Sequence, residues 1–326
     1  MDAELSIINS ELILRNVEQP ITKPFSNPYI TAATSQNTRR AYQADIRHFE
    51  KWGGQLPAST DAILIYLQVF AKELNPRTLS RRLTALKNWH VYQGFLDPTQ
   101  HPSISKTLAG IMRTHGKPKD KAPPLLPEHL LKIVTYLAEE KTLRACRDSA
   151  LLQLAFFGAF RRSEIIAICY EHIQWKDQGI DILIPHSKTD QTNEGQYCAV
   201  PHGNEQLCPV RALQQWIDQS GITDGYIFRR IYPDDRLGEV PLVPLSVSNI
   251  LKKRAQDADI PQAENFSSHS LRRGLATSAS RDGASLPAIM RQGRWKNVNT
   301  VMEYIEAAAR FEENAAASVL KKIRSE

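Results

Sequence analysis

The chain has 326 residues, 42% of them apolar, which allows two domains with ordinary cores. Lys plus Arg exceed Asp plus Glu by 41 to 35, a moderate excess that suits a polyanionic partner. No apolar run is long enough to span a bilayer, and Cys146, Cys169, Cys198 and Cys208 form no C-x-x-C pair; neither a membrane partner, a cysteine zinc site nor a disulfide scaffold is indicated, and a reduced, cytosolic setting fits.

Residues 1–34 do not begin with a basic region followed by an apolar core, so no signal peptide is expected. Their second half, PITKPFSNPYITAAT, carries three prolines and reads as a flexible, extended or partly ordered arm. From Ser35 the pattern turns helical. Tyr42, Ile46 and Phe49 recur at helical spacing, and Gly53-Gly54 ends the helix. Ala58-Ser59-Thr60 opens a second helix with Ile63, Leu64, Leu67 and Phe70. Asn75-Pro76 caps a third, in which Leu79, Leu83, Leu86 and His90 point inward. A fourth spans Ile104 to Met112. Residues 35–115 thus read as a compact helical domain with basic faces. Arg39, Arg40, Arg77, Arg81, Arg82 and Lys87 are its candidates for lying along nucleic-acid phosphates or in a major groove.

HGKPKDKAPPLLP, from His115 to Pro127, holds four prolines and three lysines and little that packs, so residues 116–127 are a linker. Lys117, Lys119 and Lys121 are placed to track a phosphate backbone. A second domain, 128–326, opens with helices near Glu128–Glu139 and Leu143–Phe157. In GAFRRSEIIAICYEHI, Arg161 and Glu164 are three apart at a helix start, with Ile165 and Ile168 on the buried side. GIDILIP and GQYCAVP read as two strands of a hairpin with a long turn, HSKTDQTNE, and Lys188 leaves the first strand. CPVRALQQWI is a helix entered through Pro209, and Ser246–Ala255 is another.

The stretch from Ser267 to Glu306 concentrates the chemistry. His269 and Arg272, in an H-x-x-R spacing, project from one face of a helix. Trp295 and Tyr304 are nine apart, on opposite sides of any continuous helix. They converge only if the chain bends between them, and Asn297 or Asn299 is placed to cap a new helix there. Arginine grips phosphate oxygens in a planar, bidentate way, and tyrosine is a covalent nucleophile. Phosphoryl transfer is the chemistry these residue types suggest.

The order of these motifs resembles the tyrosine recombinases, the integrase-type site-specific DNA recombinases. GAFRRSE resembles their first-arginine motif, SKTDQ the lysine motif, HSLRRG the histidine–second-arginine motif, and GRWKNVNTVMEYI the final tryptophan or histidine and the tyrosine. ASLPAIMRQGRWKNVNTVMEYI is similar to the Cre-like branch, which carries tryptophan where many integrases carry histidine. The resemblance implies a mainly α fold: a SAM-like helical core-binding domain of four to five helices, then a mixed α/β, mostly helical catalytic domain with a small antiparallel sheet. It implies catalytic roles for Arg161, Lys188, His269, Arg272, Trp295 and Tyr304, with Glu164 orienting them and Arg273 beside the DNA. Neither a metal nor another cofactor is implied. The partner implied is double-stranded DNA with inverted half-sites, bound by a homotetramer in the cytoplasm, at the nucleoid.

The last residues, 307–326, form a helix whose stripe of Phe311, Val319, Leu320 and Ile323 needs a surface, and the resemblance favours a neighbouring protomer in the tetramer. Two related readings share the catalytic set, a type IB topoisomerase and a telomere resolvase. A non-catalytic architectural DNA-binding protein is the reading from another class. No G-x-x-x-x-G-K-[ST] loop is present, which weighs against an ATP-driven enzyme.

Overall fold

The structure, a computed structural model, describes residues 33–118, 121–185 and 195–309, together with Ala316 and Leu320. They fall into two compact units, 1–119 and 120–326. The first is helical: α1 (Gln36–Trp52), α2 (Thr60–Phe70), α3 (Pro76–Tyr92) and α4 (Pro102–His115). The starts follow local chemistry. Ser35 Oγ accepts from Thr38 N, Ser59 Oγ from Ala62 N and Asn75 Oδ1 from Arg77 N, at 3.2, 3.2 and 2.9 Å. Gly53, at φ +109°, ends α1 in a conformation that favours glycine. Phe49, Ile63, Tyr66, Leu67, Leu79, Leu86 and Ile104 form the core. Each large apolar side chain so buried contributes about 1.5–3 kcal/mol.

His90 lies inward, as its spacing predicts. Its Nε2 accepts from Ala58 N at 2.8 Å, which leaves Nδ1–H to donate to Leu86 O at 2.7 Å. Arg82 corrects the sequence reading. It was placed on the exposed basic face, but it is buried, donating to Tyr66 Oη at 2.7 Å and lying 3.5 Å from the buried carboxylate of Asp45. Arg81 gives that carboxylate a bidentate grip at 2.8 Å while staying half exposed. Asp45, on α1, is the reason: a buried carboxylate draws in guanidinium groups to avoid standing unpaired.

The second unit contains α5 (Pro127–Glu140), α6 (Leu143–Phe157), the short α7 (Arg162–Ile165), β1 (Ile173–Lys176), β2 (Gly179–Ile184), β3 (Gln196–Pro201), α8 (Pro209–Ser220), β4 (Arg229–Ile231), β5 (Leu237–Pro241), α9 (Pro244–Asp257), α10 (Ser268–Arg281), α11 (Leu286–Gly293) and α12 (Val298–Ala309). The sheets are small and antiparallel, in the orders β1-β2-β3 and β4-β5. The hairpin β2–β3 pairs Ile184 with Gln196, and Lys188 falls on the connection between them, outside the described residues. β1, β4 and β5 were not foreseen; they are three to five residues long.

Leu151, Leu154, Phe156, Ile182, Trp216 and Leu251 lie in one core that α6 crosses. Inside it Asp148, itself buried, takes hydrogen bonds from Arg147 at 2.7 Å and from Arg254 at 2.8 Å, which ties α6 to α9. The linker also departs from expectation, because it does pack. Leu125 is fully buried in this core, and its N–H donates to Ser270 O at 2.9 Å. A Cβ at Gly274 would run into the carbonyl of Leu125, so this stretch lies on α10 where only glycine admits it.

Candidate active site

Four local structures bring the predicted residues together. The first is the turn from α6 into α7. Arg161 is the N-cap of α7, and Glu164 folds back on it: Oε2 accepts from Arg161 N at 3.0 Å and Oε1 meets the Arg161 guanidinium at 2.5 Å. Glu164 also takes Arg294 Nη2 at 3.1 Å. Burial acts to raise the Glu164 carboxyl, but Arg294, and then the backbone and guanidinium of Arg161, outweigh it and hold the carboxyl at about 2.

The second is α10. Ser267 Oγ caps it by accepting from His269 N at 3.2 Å. His269 is exposed in the first turn, and Arg272, one turn on, is buried at 4% exposure. The Arg272 guanidinium donates to the carbonyls of Ala159 and Gly293 and lies 4.1 Å above the Trp295 ring. Burial, reinforced by the cations Arg161 and Arg294, pushes it down to about 9, against the opposing pull of Glu164 and Tyr304.

The third is the end of α11. Arg294 adopts φ +54°, and Trp295 N closes the turn on Met290 O at 3.0 Å. The indole folds back over Gly293, where any Cβ would enter the ring. Gln292 Nε2 holds the turn to Phe157 O at 2.8 Å and to Ala199 O on β3 at 3.0 Å.

The fourth is the bend before α12. Asn297 Oδ1 accepts from Asn299 N at 2.9 Å, so Asn297 is the cap, and the chain turns as the nine-residue spacing requires. Trp295 and Tyr304 then meet edge to face with centroids 6.1 Å apart. Tyr304 is half-buried, and its carbonyl accepts from Thr277 Oγ1 at 3.5 Å.

Arg161, Glu164, Arg272, Trp295 and Tyr304 are therefore neighbours, with His269 one turn from Arg272. Lys188 lies outside the described residues. Sequence reasoning gave Arg294 no role, yet it is buried, bonded to Gly158 O at 3.1 Å and paired with Glu164. Its position between Gly293 and Trp295 was the available signal. Arg273 is a second correction. It was expected beside DNA, but the structure buries it at 8% exposure, with its guanidinium donating to Ala122 O and 5.2 Å from the centre of the Tyr304 ring. Of the other basic candidates, Arg40, Arg77, Lys87, Lys117 and Lys121 are exposed, Arg39 is half-buried with a bond to Thr34 O, and Lys119 lies outside the described residues. Of the apolar tail residues Phe311, Val319 and Ile323 also lie outside them, whereas Leu320 is exposed.

Residues 125–310 match the phage integrase family, and residues 28–93 match the phage integrase N-terminal SAM-like domain. The chain belongs to the phage integrase family, the tyrosine recombinases, a class of DNA strand-transferring enzymes. It is 36% identical over 297 residues to an integrase/recombinase xerD homolog of Selenomonas ruminantium, covering 88% of this chain and 86% of that one. Against the recombinase cre of Escherichia phage P1 it is 26% identical over 271 residues, covering 78% and 77%. The fold is also that of the XerH site-specific recombinase solved on a palindromic difH substrate, with a TM-score of 0.60 at 16% identity, covering 85% of this chain and 80% of that one. Among the described residues no helix is long and apolar enough to cross a membrane.

Proposed function

We propose that this chain is a site-specific recombinase that cleaves and rejoins DNA through a covalent link between Tyr304 and a 3′-phosphate. One observation carries the reading. Arg272 is a buried guanidinium whose hydrogen bonds, among the described residues, go to carbonyls and not to a carboxylate, and it sits beside a tyrosine and a second arginine. A buried cation without an anionic partner is costly, and a DNA phosphate supplies that partner.

Arg161 and Arg272 hold the phosphate oxygens and stabilise the charge that builds on them. The Tyr304 hydroxyl loses its proton and its oxygen attacks phosphorus in line. The bond from phosphorus to the 5′-oxygen breaks, and Lys188 gives that oxygen a proton. His269 assists proton transfer at the phosphate or from the tyrosine. Glu164 keeps Arg161 and Arg294 in place, and Trp295 forms the floor under Arg272. The phosphotyrosyl bond conserves the energy of the phosphodiester, so rejoining needs no ATP, and the cationic side chains supply the charge that a metal supplies elsewhere. The reaction proceeds in a homotetramer on two DNA sites, each with inverted half-sites, by way of a Holliday junction. Residues 1–34 serve as an arm, 35–115 and 128–326 as core-binding and catalytic domains joined by 116–127. The exposed Arg40, Arg77, Lys87 and Lys117 meet the DNA backbone, whereas Lys121 is paired with Glu303.

The test is strand exchange between two copies of a site recovered from random duplexes with this protein, in chelator and without ATP. Exchanged product is expected. Relaxation of supercoils by isolated protomers, with no exchange, would instead indicate a type IB topoisomerase, and binding without cleavage an architectural protein.

A further inference from the structure

The proposed chemistry leaves Arg273 without a task, although it lies against the tyrosine. It neighbours Arg272 in HSLRRG, yet the two side chains go different ways. Arg272 reaches the Trp295 ring, whereas Arg273 donates to Ala122 O and packs on the ring of Tyr304. Ser270 and Gly274 share its orientation: Ser270 O receives Leu125 N, and Gly274 admits the Leu125 carbonyl. One face of α10 thus carries the end of the linker, and Arg273 bridges that linker to Tyr304. A second bridge lies one residue away in α12. Lys121 Nζ meets Glu303 Oε2 at 2.5 Å.

We propose that Arg273 is a positioning residue for Tyr304, clamped between the Ala122 carbonyl and the phenol ring, and that the Lys121–Glu303 pair closes the same clamp from the other side of the linker. The proposal rests on Tyr304 as the nucleophile. In-line attack tolerates little displacement, and a shift of about 1 Å costs roughly a hundredfold in rate. Thr277 gives the Tyr304 backbone a long bond of 3.5 Å, so the ring depends on what packs against it. A planar guanidinium over its face does so while its Nη1 donates to the Ala122 carbonyl of the linker. Burial pushes the Arg273 guanidinium below its ordinary range, and Tyr304 and Glu303 pull the other way, consistent with a cation kept in place by these two neighbours. The Lys121–Glu303 pair is partly exposed and is worth little alone. Its effect is to hold the linker where Ala122 can receive Arg273.

The experiment is single-turnover cleavage of a nicked duplex bearing a half-site selected from random DNA with this protein, with affinity and its salt dependence measured in parallel. Arg273→Met slows cleavage by about ten- to a hundredfold with affinity unchanged, and Arg273→Lys recovers part of the rate. Lys121→Glu and Glu303→Lys each slow cleavage, and the double exchange restores it. Unchanged cleavage in Arg273→Met overturns the proposal. So does weaker binding with a salt slope smaller by about 0.9, the mark of a lost phosphate contact, or a double exchange whose defects add. If Arg273→Met fails to fold, the exchange at the surface pair decides. Tyr304→Phe separates the two readings: an adduct formed by it overturns the nucleophile, whereas its inactivity beside an unaffected Arg273→Met overturns the clamp alone.

Discussion

Glu164 shows how a single carboxylate arranges the cationic side of the site. It is buried, and it binds Arg161 through both backbone and side chain and Arg294 through the side chain. Its carboxyl is held at about 2, below the ordinary 4.5. A carboxylate depressed in the folded state contributes stability above its unfolded value and loses it as pH falls through the folded one. Glu164→Gln should therefore destabilise the chain by a few kcal/mol at pH 7, because Arg294 is left buried without its counter-charge. The gap should close as pH falls from about 4.5 towards 2. Urea unfolding of both proteins at pH 7 and pH 3 checks this, and a gap independent of pH would contradict it. At this scale the sequence displayed Arg161, Glu164, His269, Arg272 and Tyr304 as candidates, because each stands in a short motif of its own, and the fold brings them together. For Arg294 the one local signal is its place between Gly293 and Trp295; its burial was not legible, since its partner Glu164 is 130 positions away.

Among the elements, α3 marks where pattern reading succeeds and where it fails. Its apolar stripe foretold Leu79, Leu83, Leu86 and the inward His90, all buried. Residue type alone put Arg82 among the DNA-contact candidates, and its burial was not legible because it depends on a carboxylate elsewhere, here Asp45 on α1. Arg82→Met should accordingly lower the stability of the first unit by about 1–3 kcal/mol, the range for leaving buried polar partners unsatisfied. Arg77→Ala should leave stability unchanged and weaken DNA binding, since Arg77 is exposed. Thermal melts and band-shift titrations of the two variants test both claims; equal losses of affinity without a change in melting would return Arg82 to the DNA face. The bend before α12 was legible for a different reason. Nine residues cannot bring Trp295 and Tyr304 together on one helix, and an asparagine stood ready to cap the next. The strands β1, β4 and β5 were not legible. β1 is exposed along most of its length, so no alternation of apolar and polar residues announces it.

For the molecule as a whole, the order of motifs carried the family, and the family match spans both the SAM-like and the catalytic regions. Assembly is the part that one chain displays least. Leu320 is exposed, and an apolar residue on a terminal helix gains from burial in a neighbour. A chain ending at Arg310 should bind a single half-site as the full chain does, but lose cooperative binding to two half-sites and lose strand exchange. Band shifts on one-site and two-site DNA read the two effects separately. Recombination by the shortened chain at the full rate would place the tail outside the assembly.

The most direct test of the central claim is to trap the enzyme on DNA. A duplex nicked beside the cleavage position releases the 5′-hydroxyl fragment and strands the protein on the 3′-phosphate. Denaturing electrophoresis followed by peptide mass mapping should find DNA attached to the peptide containing Tyr304, and Tyr304→Phe should bind the same duplex but form no adduct. An adduct on another residue, or one that persists in Tyr304→Phe, would contradict the account.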